Sequence, residues 1–157
     1  MGDGTDRIVP VLTELLAPAS IRLSQTATDQ EDAIRQTGAA LLDAGAIDTP
    51  YIDAMLQRER SVSTYVGEGV AIPHGTLAGK DSVKNDAIVV LRFPDGVDWN
   101  GNEVIVCVGI AARGNGHIAL LSQLASVLLN PDKASALRAS TTSAEVYELL
   151  KPDPEDE

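Results

Sequence analysis

Cysteine is almost missing from this chain: among 157 residues there is one, Cys107. A lone thiol cannot close an internal disulfide, and no multi-cysteine pattern suggests a zinc site, so a reducing cytoplasm is the simplest home. Aromatic residues are also scarce, at 3%, which leaves few stacking surfaces for bases or sugars and a core built mainly from Ala, Val, Ile and Leu. Positive charge is short as well: 12 Lys and Arg stand against 23 Asp and Glu, a formal net charge of -11. Such a surface repels polyphosphate and anionic lipid, which argues against nucleic acid and membrane surfaces as partners, whereas a basic protein would be steered toward it. No segment reaches the ~18 uninterrupted apolar residues of a spanning helix, and Asp3, Asp6 and Pro10 stand where an export signal would need a basic region and an apolar run. What is present is 44% hydrophobic and 22% charged residues, enough for a sizeable core in one compact domain.

The local signals alternate between helix and strand. Residues 7–16 have a loose helical spacing broken by Pro10, so a helix there would be short or start at the proline. Ser20–Leu23 reads as a short strand. At Thr28 the T-D-Q-E pattern is a capping box, with Glu31 reaching back, and Ala33, Ile34, Thr37, Ala40, Leu41 and Ala44 continue at helical spacing to a stop at Gly45. Thr49 and Pro50 repeat the start signal for a helix whose stripe is Ile52, Met55 and Leu56, which sets Arg58 off the buried face near the helix end. Residues 65–73 alternate glycine with small apolar residues and stop at proline, as a strand or paired turns would. Residues 85–93 and 104–112 read as adjacent sheet strands, the second fully buried, with PDGVDWNGN as the turn signal between them. Helices are expected over His117–Leu129, about Asp132–Ala139, and Ser143–Lys151, the last opened by a capping pattern from Thr142 to Glu145. The outcome is an α/β sandwich with no internal repeat.

Two histidines, His74 and His117, each stand where a strand is expected to end. In α/β folds ligands gather beyond the carboxyl ends of strands, so these two can converge. His74 lies in G-V-A-I-P-H-G: Pro73 keeps its predecessor extended and Gly75 permits close approach, so the ring is expected to be fixed and accessible. A neutral imidazole, with a pKa of about 6.5, is a good nucleophile near neutral pH. The plain alternative is a turn histidine. His117 follows R-G-N-G and opens an apolar helix, where it could help hold an anion, or simply cap the helix. Arg58 alone reads as a solvated helix-end cation, and Glu68, between two glycines, as a surface turn. Cys107, mid-strand in VIVCVGI, reads as an inert core residue.

The stretches M-L-Q-R-E-R from Met55, Y-V-G-E-G-V-A-I-P-H-G-T from Tyr65 and G-I-A-A-R-G-N-G-H-I-A-L-L-S-Q-L-A from Gly109 together resemble the IIA components of the phosphoenolpyruvate-dependent sugar phosphotransferase system, mannitol/fructose branch. The resemblance runs from about residue 20 to 150, with three separated motifs in the family's order and spacing. It implies a mixed, mostly parallel central sheet flanked by helices, and a phosphocarrier. His74 would accept a phosphoryl group from phospho-HPr and pass it to a cysteine of a IIB partner, His117 would hydrogen-bond that group, and Arg58 and Glu68 would complete the site. Physics agrees on the donors, since a transferring phosphoryl group spreads negative charge over its oxygens and needs positioned cations and N–H groups. Glu68 would repel phosphate, so its expected part is to orient an imidazole or Arg58, or to meet a cation on a partner.

The domain reading is an N-terminal segment with a short helix over 1–19, an EIIA type-2 domain over 20–151 and an acidic disordered tail over 152–157. No metal and no cofactor are called for, because two histidines without a matching cluster of carboxylates or thiols make a poor metal site. With no IIB or membrane segment alongside, a free-standing cytoplasmic component is expected. Two other readings stand beside this one: a nitrogen-type regulatory paralogue acting through its phosphorylation state, and a non-catalytic binding module whose histidines are structural.

Overall fold

A computed structural model of the chain describes residues 15–76, 81–113 and 116–150, the side chains of 116–119 excepted. Along the chain run β1 (Leu16–Arg22), α1 (Gln30–Asp43), α2 (Pro50–Ser61), β2 (Tyr65–Gly67), β3 (Val70–Ala71), β4 (Ala87–Trp99), β5 (Asn102–Ala111), α3 (Gly116–Leu128), α4 (Pro131–Arg138) and α5 (Ser143–Leu150). The strands form one sheet in the order β1-β4-β5-β3-β2. The sheet is mixed, but not mostly parallel: β1 with β4 and β3 with β5 are parallel, β4 with β5 and β2 with β3 antiparallel.

Strand pleating sorts the core into two. Val89, Leu91, Phe93, Cys107 and Ala111 face α1 and α2, while Ile88, Val90, Val106, Val108 and Ile110 face α3, α4 and α5. On the first face the approach is close enough to require glycine: a Cβ on Gly109 would lie 2.3 Å from Thr37 Cγ2 and 2.8 Å from Val89 Cγ2. Thr37 can be buried in that contact because its hydroxyl donates to the Ala33 carbonyl at 2.8 Å.

Several local signals shift on inspection. The cap of α1 is Asp29 rather than Thr28: Asp29 Oδ1 accepts from Asp32 N–H at 2.8 Å, and Asp32, not Glu31, reaches back to Thr28 N–H at 2.9 Å. Aspartate competes for the cap on equal terms with threonine, and T-D-Q-E-D offers both registers. Glu31 instead pairs with Arg35. Thr49 is helical and makes no side-chain cap bond, so Pro50 alone marks the start of α2. The C-terminal stop of α1 at Gly45 (φ 75°) and the Thr142–Glu145 capping box at α5 form as expected, with Glu145 Oε1 accepting from Thr142 N–H and Glu145 N–H donating to Thr142 Oγ1.

The turn between β4 and β5 is only Asn100–Gly101, both at positive φ, so β4 runs on to Trp99. Pro94-Asp95-Gly96 falls inside β4 as an irregularity where the register shifts between Arg92 and Val97. The helix expected over 7–16 lies outside the described residues except for its last two positions, and of these Leu16 already belongs to β1.

Candidate active site

The edge of the sheet carries the site. β2 and β3 are joined by Gly67, Glu68 and Gly69, all three at positive φ (94°, 55° and 74°). Glu68 is the one non-glycine among them, and Arg138 at the end of α4 holds it there. Arg138 Nη1 donates to the Glu68 carbonyl at 2.5 Å and lies 3.6 Å from its Oε1. Arg138 lies so close over the turn that a Cβ on Gly69 would meet its Cδ at 2.8 Å.

From that turn the chain runs parallel to β5 in constant register: Val70 beside Val106, Ala71 beside Cys107, and, past Pro73, His74 beside Ile110. Ile110 N–H donates to the Pro73 carbonyl at 3.1 Å, so the proline's lack of an N–H does not break this side of the ladder. The strand rise puts His74 roughly 13 Å beyond Val70, at the opposite end of the edge from Glu68. The described ionic partner of Glu68 is Arg138, a cation outside the set expected from the sequence.

His74 Nδ1 lies 2.8 Å from the carbonyl oxygen of Ile72. A carbonyl only accepts, so Nδ1 carries the proton, and in the neutral ring the lone pair then sits on Nε2. The ring is fixed, as expected, but less accessible than expected: the residue is 9% exposed. It sits where the edge strand meets β5, bridged to Ile110. The backbone on its far side is held by Tyr51, from the first turn of α2, whose hydroxyl donates to the Ile110 carbonyl and accepts from Gly75 N–H, both at 2.9 Å. Gly75 must be glycine here, because a Cβ would stand 2.5 Å from Tyr51 Cε1.

Arg58 lies in the last turn of α2. Its guanidinium donates to the Val62 carbonyl, closing the helix, and the chain from Val62 leads straight to Thr64, whose carbonyl accepts from Ile72 N–H at 3.0 Å. Next to it, Glu59 is buried and accepts from Thr64 N–H at 2.7 Å, Thr64 Oγ1 at 2.6 Å and Trp99 Nε1–H at 2.9 Å. One carboxylate thus joins the end of α2, the entry to β2 and the end of β4, beside Arg58. His117 lies in the first turn of α3, six residues after β5 ends at Ala111, at the His74 end of the sheet. Its side chain lies outside the described residues. Cys107 is fully buried and unpaired with another cysteine, and burial pushes its thiol far above the ordinary range, consistent with an inert core residue.

Two contributors, Tyr51 and Glu59, are absent from the sequence reading, and both had a signal. They continue the buried stripe of α2 at four-residue steps through Met55, and a buried tyrosine or carboxylate must find partners. Among the described residues, no group of three or more His, Cys, Asp or Glu side chains is placed to hold a metal ion, and no helix is long and apolar enough to cross a membrane.

Residues 14–152 match the family described as phosphoenolpyruvate-dependent sugar phosphotransferase system, EIIA 2. The chain belongs to this family. Among its relatives is the mannitol-specific phosphotransferase enzyme IIA component of Staphylococcus aureus, 36% identical over 140 residues, covering 89% of this chain and 97% of that protein. The multiphosphoryl transfer protein of Escherichia coli O157:H7 is 41% identical over 143 residues, 90% of this chain; the chain spans only 38% of that protein's length. Among solved structures, the complex of enzyme IIA-mannitol and phosphorylated enzyme IIB-mannitol from Escherichia coli superposes with a TM-score of 0.80 at 35% identity, covering 87% of this chain and 98% of the matched one. The EIIA-type fold expected from the IPHG, M-L-Q-R-E-R and G-H-I-A-L-L motifs is therefore the fold observed.

Proposed function

We propose that this EIIA-type chain is a cytoplasmic phosphocarrier for uptake of mannitol or a related sugar, with His74 as the residue that carries the phosphoryl group. The observation that carries the reading is the 2.8 Å contact of His74 Nδ1 with the Ile72 carbonyl, which leaves the nucleophilic lone pair on Nε2. In the first step Nε2 attacks phosphorus in line, the bond from phosphorus to the atom of phospho-HPr breaks, and HPr leaves with that electron pair. In the second, the thiolate of a IIB cysteine attacks the same phosphorus and the N–P bond breaks. Charge on the three equatorial oxygens is met by Arg58 and by the N–H donors at the start of α3, where His117 adds a ring N–H.

Partner docking has support beside the site. A groove of about 300 Å³ between the edge hairpin and α3 is lined by Val66, Ile72, Leu121, Ala125, Leu128 and Leu129. Val66 and Leu129 are among the exposed large apolar residues, and such exposed apolar surface is what a protein partner covers. The chain's net charge of -11 favours a partner with a basic rim.

The test is intact mass after incubation with phosphoenolpyruvate, enzyme I and HPr, followed by addition of a IIB-mannitol domain. An acid-labile gain of about 80 Da that the IIB domain then removes supports the carrier. No gain, with active HPr in the tube, favours the binding-module reading; a stable gain that no IIB domain removes favours the regulatory one.

Glu68 has a separate expectation. Because its side chain is half-exposed and paired with Arg138 rather than with His74, Glu68→Gln should leave the rate of phosphoryl uptake within about twofold of wild type, an exposed pair being worth little. Rapid-quench measurement of that rate checks it, and a tenfold loss would return Glu68 to the transfer site.

A further inference from the structure

We propose that Tyr51 is a positioning residue for phosphoryl transfer, acting through the backbone on either side of His74; the inference rests on His74 being the phosphoryl carrier. In a parallel pair centred on His74 and Ile110, two hydrogen bonds frame the bridge: Ile110 N–H to the Pro73 carbonyl, and Gly75 N–H to the Ile110 carbonyl. The first is made directly, at 3.1 Å. At the second, the Tyr51 hydroxyl stands between the two groups, taking the Gly75 proton and giving its own to Ile110, each at 2.9 Å. A side chain from α2, on one face of the sheet, has been inserted as a rung of the ladder.

The insertion bears directly on the imidazole. His74 is anchored twice on its N-terminal side, through the Pro73 carbonyl and through its own Nδ1 on Ile72. On its C-terminal side the Tyr51 hydroxyl fixes the peptide that leaves it. Burial raises the Tyr51 phenol above its ordinary range, so it keeps its proton and serves as donor and acceptor together at any pH used for transfer. The ring of Tyr51 also sets how near the chain can come, since Gly75 has no Cβ to spare against it. In-line transfer between two proteins tolerates little misplacement, a shift of about 1 Å being able to cost about a hundredfold. The residue following the nucleophile is where such a shift would begin.

The experiment is single-turnover phosphoryl uptake from phospho-HPr over a range of HPr concentrations, by rapid quench, on wild type, Tyr51→Phe and His74→Ala. Tyr51→Phe should lower the maximal rate at least tenfold while the half-saturating HPr concentration stays within twofold. Its His74 ring nitrogens, read by ¹⁵N NMR, should lose the single Nδ1-protonated signature of the wild type. A maximal rate within twofold of wild type, or a change confined to half-saturation, overturns the proposal. If Tyr51→Phe does not fold, Gly75→Ala makes the same test by pushing Gly75 off the hydroxyl, with the same loss expected and a wild-type maximal rate overturning it. Phosphate appearing on His74→Ala would instead defeat the carrier reading, and the ring-nitrogen signature then decides the positioning claim by itself.

Discussion

His74→Ala is expected to take up no phosphoryl group from phospho-HPr, while its melting temperature should stay within a few degrees of wild type. The two halves of this result come from different parts of the structure. Uptake needs the Nε2 lone pair, and in the proposed function His117, the other histidine of the chain, serves as a donor to the group being moved and not as its carrier. Stability should rest chiefly on the strand register on β5, which backbone bonds keep, with the Nδ1 contact to Ile72 worth about 1 kcal/mol net. Mass spectrometry and a thermal melt on the same sample check both. Residual phosphate on the folded variant would move the carrier role elsewhere.

Glu59→Ala is expected to give the largest loss of stability of any single change near the site, about 2–6 kcal/mol for two buried donors left unpaired, or a fall in melting temperature of roughly 10 °C. Truncation removes the acceptor for three donors at once and leaves Thr64 N–H and the Trp99 indole N–H buried without it. Glu59→Gln should cost less than half as much. Thr64 N–H and Trp99 Nε1–H both point at Oε2, so an amide oxygen turned to that position keeps two bonds, and the amide nitrogen can donate to the Thr64 hydroxyl. Trp99 is the only tryptophan and is fully buried, so its fluorescence reports the transition directly. A melting temperature lowered by less than about 2 °C in Glu59→Ala would show that the carboxylate is not the hub described.

The sequence was most legible where one physical signal stood alone. Gly45 had no competitor as the stop of α1, and T-S-A-E formed the box it spells. Legibility failed where two residues offered the same chemistry side by side. Thr28 and Asp29 both cap helices, and only the packing of Ile34 and Leu41 against the sheet selects the register that makes Asp29 the cap. Pro94-Asp95-Gly96 and Asn100-Gly101 both read as turns, but only the second, with two positive φ values in succession, matches the twist of a two-residue hairpin.

The site divides in the same way. His74 stood out as a candidate because Pro73 and Gly75 frame it, whereas Arg58 alone read as a solvated helix-end cation and entered the candidate site through the resemblance. Glu68 was legible as a turn residue; its assignment to the site came from resemblance alone, and the cation that claims it, Arg138, is 70 residues away in sequence. Tyr51 and Glu59 act through partners 59 and 40 residues distant, contacts that no local pattern contains. Their polarity on a buried stripe was the available clue.

The most direct test of the account is the nitrogen that bears the phosphoryl group. Protein labelled with ¹⁵N is phosphorylated through enzyme I and HPr, and the coupling of phosphorus to the His74 ring nitrogens is read by NMR. With Nδ1 held by the Ile72 carbonyl, the coupling must fall on Nε2. Coupling to Nδ1, or phosphate on any residue other than His74, would contradict it.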